Sequence, residues 1–566
     1  MNVKKRGTWK NSTRKHKAQP QKYFFPKKVE DIQSIITKAE KTKTRVRAVG
    51  SGHSFSDVAI SNGYLINLKH FDRIRRIKAE ELSPENQLPH DELIYAQAGI
   101  TIQRLNRKLN RMDLCLENMG AVDEQTLAGA ISTGTHGTGV ELPAMSGMVR
   151  AILIVAHEGQ VYRIEPSKGL VDPAVFEQDY PNIKLVQDDQ WFNAAVVNLG
   201  CFGIIFAYVI QVKPMYWLAE TKEVAKWPEV KRQLMSKGWR KFLTTYEIPD
   251  RVHPKSKQLQ KRKDRKWKKK WKRLGISEKK VVPVRALSII VNPYKLKEGD
   301  ENTCLISRHI LLKERPKSSR LQEWLRPLQY ILVGSFPPLP FLFYRLVRGV
   351  NRFTPGFMPM VIENTVKSLR DDIYVNKGYR VMYQGAEYIK LKAYDAEFAF
   401  GLEDNRKGAI NAVEAIMEQA ERFREDSHLF QSSPVGMRFV QASNAYLTPE
   451  SCRDICYVDT PVLLDTQGGD GILDRYQDIL MKFEGVPHWG KVNNRFVGRK
   501  DLLLKYYPKL KQWEEIFHKL NPLGTFSNNF SDRLNLGKLT TDQQKGGRGL
   551  ARNRRKPKPI GPKAVN

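Results

Sequence analysis

Two glycine-rich stretches constrain the fold of this chain more than any other feature: Arg45-Val-Arg-Ala-Val-Gly-Ser-Gly-His-Ser-Phe-Ser-Asp57 and Ala121-Val-Asp-Glu-Gln-Thr-Leu-Ala-Gly-Ala-Ile-Ser-Thr-Gly-Thr-His-Gly-Thr-Gly139. Each follows an apolar run and is dense in Gly, Ser and Thr. Each therefore offers backbone N–H groups and hydroxyls able to surround a diphosphate and an extended aromatic cofactor. Together they point to a bound dinucleotide. Neither has the strand, G-x-G-x-x-G turn and distant acidic residue of a Rossmann fingerprint, nor a Walker loop ending in Gly-Lys-Ser/Thr, so a different nucleotide-binding fold is needed.

Helix and strand periods alternate around these loops. Tyr23 to Asn67 reads as strand, helix, strand: an apolar Tyr-Phe-Phe-Pro, an amphipathic helix from Val29 to Lys41, and a strand from Val46 to Val49 that enters the first loop. Leu93 to Ile100 reads as a strand, followed by a helix over 101–110 that opens on Thr101 as its cap. Val149 to Ala156 and Gln160 to Ile164 are further strands, leading to a helix around Trp191 and a loop over Asn198 to Gly203. From about Tyr216 the runs become longer and richer in strand pattern (Ala286 to Val291, Glu397 to Phe400, Gly436 to Ala442), with a helix over Gly408 to Arg424. The expected fold class is α+β.

At 566 residues and 41% apolar composition the chain can form two or three domains with real cores. Met1 to Pro20 carries seven Lys or Arg and no acidic residue, unlike a signal peptide, which favours a cytoplasmic protein. Five scattered cysteines suit reduced thiols, and Cys452 and Cys456 lack the partner pair a zinc site would need, so no metal is expected. The net charge of +35 is concentrated in appendages: +7 in residues 1–20, +11 in Lys255 to Leu274 and +8 in Lys545 to Asn566, leaving about +9 for the rest. Such runs are commonly solvated tails. The competing reading is an anionic membrane surface, where each basic residue contributes roughly 1 kcal/mol. No aromatic-interleaved recognition motif accompanies the charge, so specific nucleic-acid binding is not expected.

Four segments, in this order, carry a family resemblance: Gly50-Ser-Gly-His-Ser54, Gly129-Ala-Ile-Ser-Thr-Gly-Thr-His-Gly137, Asn198-Leu-Gly-Cys-Phe-Gly-Ile204 and Pro487-His-Trp-Gly-Lys491. They resemble the signatures of the aldonolactone oxidases, in the vanillyl-alcohol oxidase class of FAD enzymes, and the likeness runs from about Gln21 to about Phe530. It implies a two-subdomain FAD-binding domain of PCMH type over 21–212 and a β-rich cap or substrate domain over 213–485. A segment at 486–535 returns to the flavin through Asn521-Pro-Leu-Gly-Thr-Phe526, between basic tails at 1–20 and 536–566. Two insertions interrupt the cap. The basic run 255–274 places Trp267 and Trp271 four apart on one helical face. The apolar run 330–344 is broken by three prolines and is too short for a helix to span a bilayer, which takes about 20 residues; it either packs into the cap or lies in a membrane interface.

The resemblance also implies roles. FAD would contact Gly50, Ser51, Gly52, His53 and Ser54 in the first loop, Thr126, Gly129, Thr133, Gly134, Thr135, His136 and Gly137 in the second, and Gly200, Gly203 and Ile204 in the third. His53 matches the histidine that commonly bonds covalently to the flavin 8α-methyl. Arg438 and Lys491 match the catalytic Arg and Lys of the family, Lys491 also facing the flavin. Gly436 stands where the family's Glu-x-Arg element has its acid, which leaves the base unassigned. Gly120, without a Cβ, implies an open path for oxygen. The expected activity is oxidation of a sugar-lactone CH–OH group, as in D-arabinono-1,4-lactone oxidase, with molecular oxygen as acceptor. The alternatives are an alditol or larger apolar alcohol as substrate, or a membrane-docked flavin-binding protein without lactone activity.

Overall fold

The computed structural model describes residues 2–4, 7–248, 271–272, 276, 281–313, 340–368, 373–383 and 392–537. Most of the basic insertion, the first ten residues of the apolar one and the C-terminal basic tail lie outside these residues.

The fold is α+β, with two small subdomains ahead of a large β-rich part. In the first subdomain Lys22–Phe25, Tyr64–Asn67 and Val46–Val49 run parallel. The helix Val29–Lys41 is the crossover that carries the chain from Lys22–Phe25 past Tyr64–Asn67 to Val46–Val49, burying Ile32, Ile35, Ile36 and Ala39 along one face. The second subdomain is a six-stranded sheet whose central strands, Val149–Val155 and Ile204–Gln211, are almost wholly buried. Leu105 and Leu109 of the helix Ile102–Arg111 share its core with Trp489, Trp513 and Phe526, which brings the C-terminal segment back to the start of the chain. The Asn521 to Phe526 turn closes on itself through Phe526 N–H to Asn521 Oδ1 at 3.0 Å. It then docks on the first subdomain, Val46 N–H donating to Thr525 O at 2.7 Å.

The β-rich part is an eight-stranded sheet, ordered Ile373–Lys377, Trp217–Lys226, Thr303–Leu312, Ala286–Val291, Val435–Val440, Ile455–Leu463, Ala393–Gly401 and Val486–Pro487, with antiparallel neighbours throughout. Successive strand residues point to opposite faces. Tyr394, Ala396, Phe398 and Phe400, Val435, Met437 and Phe439, and Cys456, Val458 and Val462 pack in one core, against the helices Arg406–Asp426 and Gly469–Lys482. The residues between them, Asp395 and Glu397, Gly436 and Arg438, Tyr457 and Asp459, belong to the other face. That face meets the first part of the chain where Gly139 N–H donates to Phe439 O at 2.6 Å.

The N-terminal residues read as a solvated basic tail are instead packed. Asn2–Lys4 pairs with Lys22–Phe25, Trp9–Lys10 forms a hairpin with Lys17–Ala18, and Trp9 and Ala18 are buried. The charges sit at the rim of a segment whose apolar and amide groups are used inside. Trp271 is likewise buried, 6.4 Å from the Tyr246 ring, so it is not offered to a surface. The end of the apolar insertion enters a helix, Pro340–Phe353, and Leu346, Phe353, Phe357 and Met360 around it are exposed. Among the described residues no helix is long and apolar enough to cross a membrane.

Candidate active site

The first glycine loop hangs between two anchors. Gly52 O accepts from Ser12 N–H at 2.8 Å and Ser54 O from Asn11 Nδ2 at 3.0 Å, both from the N-terminal hairpin. On the other side Phe55 N–H donates to Gly490 O at 2.7 Å and Ser56 Oγ to Trp489 O at 2.7 Å. The Gly52 and Ser54 carbonyls are thus taken, while among the described residues no protein acceptor takes the N–H groups of Ser51 to Ser54. A run of unclaimed amides beside a positive-φ glycine, Gly52 at 74°, is the donor set a diphosphate needs, and FAD fits it.

Gly50 to Ser54, Thr126, Gly129, Thr133, Gly200 and Gly203 line one cleft. Arg47, which the sequence reading missed, holds this cleft together. Its buried guanidinium donates to Val58 O at 2.8 Å, Gly200 O at 2.9 Å, Phe526 O at 3.1 Å and also to Leu199 O, tying the first and third loops to the closing turn. The second cavity, about 300 Å³, is lined by Gly120, Thr135, His136, Arg438 and Lys491, and it shares His53, Ser54, Gln125 and Thr133 with the cleft. His53 therefore stands at the junction. Three expected contacts fall outside both walls: Gly134 and Gly137, which pack against Thr448 and Asn118, and Ile204, whose strand alternation turns Ile205 to the cleft instead. At Gly120 a Cβ would sit 2.9 Å from Thr135 Cγ2, so this glycine also serves close packing.

Residues 20–165 match the family described as FAD binding domain, and residues 314–534 match D-arabinono-1,4-lactone oxidase. L-gulonolactone oxidase from Mus musculus is 23% identical over 531 residues, covering 93% of this chain and 98% of its own length. A putative D-arabinono-1,4-lactone oxidase from Neurospora crassa is 30% identical over 205 residues, 36% of this chain and 32% of its own. The chain belongs to the aldonolactone oxidase family. Within this family of FAD enzymes L-gulono-1,4-lactone dehydrogenase from Mycobacterium tuberculosis is 22% identical over 526 residues, 93% of this chain and 98% of its own. Cholesterol oxidase from Brevibacterium sterolicum has the same fold, with TM-score 0.64, 13% identity and coverage of 94% and 97%.

The second cavity of this aldonolactone oxidase family member has an ionic floor that the motifs did not reveal. Lys491 Nζ lies 2.7 Å from Asp395 Oδ2 and 3.3 Å from Glu397 Oε2. Burial pulls the Lys491 ammonium down, but the two carboxylates outweigh it and hold it above the usual lysine range, so Lys491 remains a cation and not a base. Burial pushes Glu397 up, and Lys491 and His136 outweigh that to hold it well below the usual carboxylate range. His136 Nε2 is 3.4 Å from Glu397 Oε1, and its ring stacks on Tyr457 at 3.7 Å. Burial pushes the nearby His488 imidazole down to about 3, which keeps it neutral. His136, Glu397 and His488 bring ligand-type atoms within 4.8 Å of one another, but the Lys491 ammonium already supplies the cation that Glu397 faces. Asp395 and Glu397 were legible as acids two apart in the otherwise apolar Ala393-Tyr-Asp-Ala-Glu-Phe-Ala-Phe-Gly401, and Asp459 as the one acid of an entirely buried strand.

Proposed function

We infer that this chain oxidises the CH–OH group of a sugar lactone of the arabinono- or gulono-1,4-lactone type, with FAD held over 21–212, the cap over 213–485 and molecular oxygen as final acceptor. The observation that carries the reading is the floor of the second cavity. Asp395 Oδ1 and Asp459 Oδ1 are buried without a hydrogen-bond partner among the described residues, and Glu397 Oε1 faces only His136 Nε2 at 3.4 Å, in a cavity that also holds Arg438 and Lys491. Buried acceptors left unmade cost free energy, and the vicinal hydroxyls of a sugar lactone satisfy them. A large apolar alcohol would bury them unpaired, so the polar floor favours a sugar over it.

When bound, FAD supplies the two-electron acceptor for the carbinol carbon's hydride. The chain's own residues orient and polarise the substrate. Arg438 stays charged at any working pH and holds the oxygen on which negative charge develops, and Lys491 donates to a substrate oxygen from its carboxylate cradle. His53, at the junction, is the proposed covalent anchor. Anaerobic mixing of the yellow protein with a panel of aldono-1,4-lactones, alditols and apolar alcohols tests the reading. Lactones should bleach the flavin fastest, and bleaching by apolar alcohols alone would overturn it.

A membrane-facing role is proposed beside this activity, because Leu346, Phe353 and Phe357 are exposed near Arg345 and Arg352. Apolar and basic side chains together suit an anionic bilayer interface.

A further inference from the structure

The acid that the family's Glu-x-Arg element would place two residues before Arg438 is absent, and the adjoining strand accounts for it. Gly436 on Val435–Val440 is the cross-strand partner of Asp459 on Ile455–Leu463. A Cβ built on Gly436 would lie 1.8 Å from Asp459 Oδ1, 2.7 Å from its Cγ and 3.0 Å from Oδ2. The two residues compete for one volume, and the glycine cedes it to a carboxylate from next door. Resting on the sugar-lactone reading, we propose that Asp459 is the catalytic base of this site, and that its carboxylate and any side chain at 436 exclude each other.

Of the three carboxylates on this sheet face, only Asp459 suits the task. Asp395 and Glu397 are engaged by the Lys491 ammonium, and Glu397 also by His136. Asp459 is 4% exposed, lines the cavity with Arg438 and Lys491, and its Oδ1 has no hydrogen-bond partner among the described residues. The charged groups facing it are Arg438 on its neighbouring strand, Glu397 and Asp395 on Ala393–Gly401, and Lys491 beyond that strand. Burial pushes Asp459 up to about 6; Arg438 and Lys491 lower it, while Glu397 and Asp395 raise it. A base with such a pKa is largely ionised at neutral pH yet takes a proton readily. In the step it performs, the substrate O–H bond breaks and the proton passes to Asp459 Oδ1. The electron pair left on oxygen completes the C=O bond as the carbinol hydride leaves to FAD, the oxidant the family's activity supplies.

The test uses the full-length, FAD-loaded protein and four variants: Asp459→Asn, Gly436→Glu, Asp459→Gly, and the swap Gly436→Glu with Asp459→Gly. Asp459→Asn should keep its flavin spectrum while lactone-driven anaerobic bleaching slows on the order of 100-fold or more and loses its rise through about pH 6. Gly436→Glu should lower the thermal unfolding midpoint, and the swap should restore it and recover bleaching relative to Asp459→Gly alone. Should Asp459→Asn fail to fold, the swap decides the catalytic role. Unchanged bleaching and pH profile in Asp459→Asn, or a Gly436→Glu protein as stable as the parent, would overturn the proposal. A parent protein bleached by no lactone or alditol would overturn the sugar-lactone reading and the proton transfer with it, while the unfolding midpoints would still decide whether 436 and 459 exclude each other.

Discussion

His53 Nε2 lies 3.3 Å from Glu124 Oε2, in the wall that the loop cleft and the second cavity share. Burial lowers the His53 pKa and Glu124 partly offsets it, so the imidazole is neutral, and thus nucleophilic, around pH 7 with an acid beside it to orient the ring. Acid precipitation should leave flavin in the protein pellet, and His53→Ala should release it to the supernatant. Glu124→Gln should reduce the pellet fraction while FAD still binds. Flavin wholly in the supernatant of the unmutated protein would remove the covalent link without touching FAD binding.

Lys491 and Glu397 make stability depend on pH with a definite sign. Glu397 has a folded pKa below its ordinary 4.5, so the folded state binds this proton less readily than the unfolded chain. Its contribution is full above about 4.5 and is lost as pH falls below that value. Asp459, raised from 3.8 to about 6, acts oppositely: its contribution is full below 3.8 and is lost as pH rises through 6. Unfolding midpoints of Glu397→Gln should therefore fall less steeply on acidification than those of the parent. Lys491→Met, leaving Asp395 without its cation and Glu397 with His136 alone, should cost about 3–5 kcal/mol. Parallel pH curves for parent and Glu397→Gln would remove this account.

The periodic elements were legible because local chemistry and tertiary context agree there. The helix Val29–Lys41 has the expected bounds, and Thr101 caps its helix by accepting from Arg104 N–H. The glycine loops were legible too, because few backbones other than a ligand cradle need so many residues without side chains. What the sequence hid is what long-range pairing creates. The basic stretch at the N-terminus looks soluble, yet its Trp9 and Asn11 pack behind the first loop, 43 residues away in the case of Asn11 and Ser54. Gly436 reads as a missing acid when its strand is taken alone. Only the register with Asp459 supplies the other half, since a side chain added at 436 would collide with that carboxylate.

Anionic liposomes should pellet the full-length protein, and deleting residues 255–270, which spares the buried Trp271, should reduce the bound fraction. Binding through exposed charge is screened, so it should fall with salt, with the remainder carried by apolar contact. Leu346→Ser with Phe353→Ser should abolish that salt-resistant remainder. Equal pelleting by parent and deletion, or none by either, would dismiss the membrane role.

The central claim is that the sheet face bearing Arg438 and Lys491 is where the sugar lactone's CH–OH group is oxidised. The most direct measurement is the rate of anaerobic flavin bleaching by a lactone substrate in the parent protein, Arg438→Ala and Lys491→Ala. Loss of a preorganised donor to a developing negative charge should slow each variant on the order of 100-fold or more, with flavin still bound. Rates unchanged in both variants would contradict the account and move the reaction elsewhere.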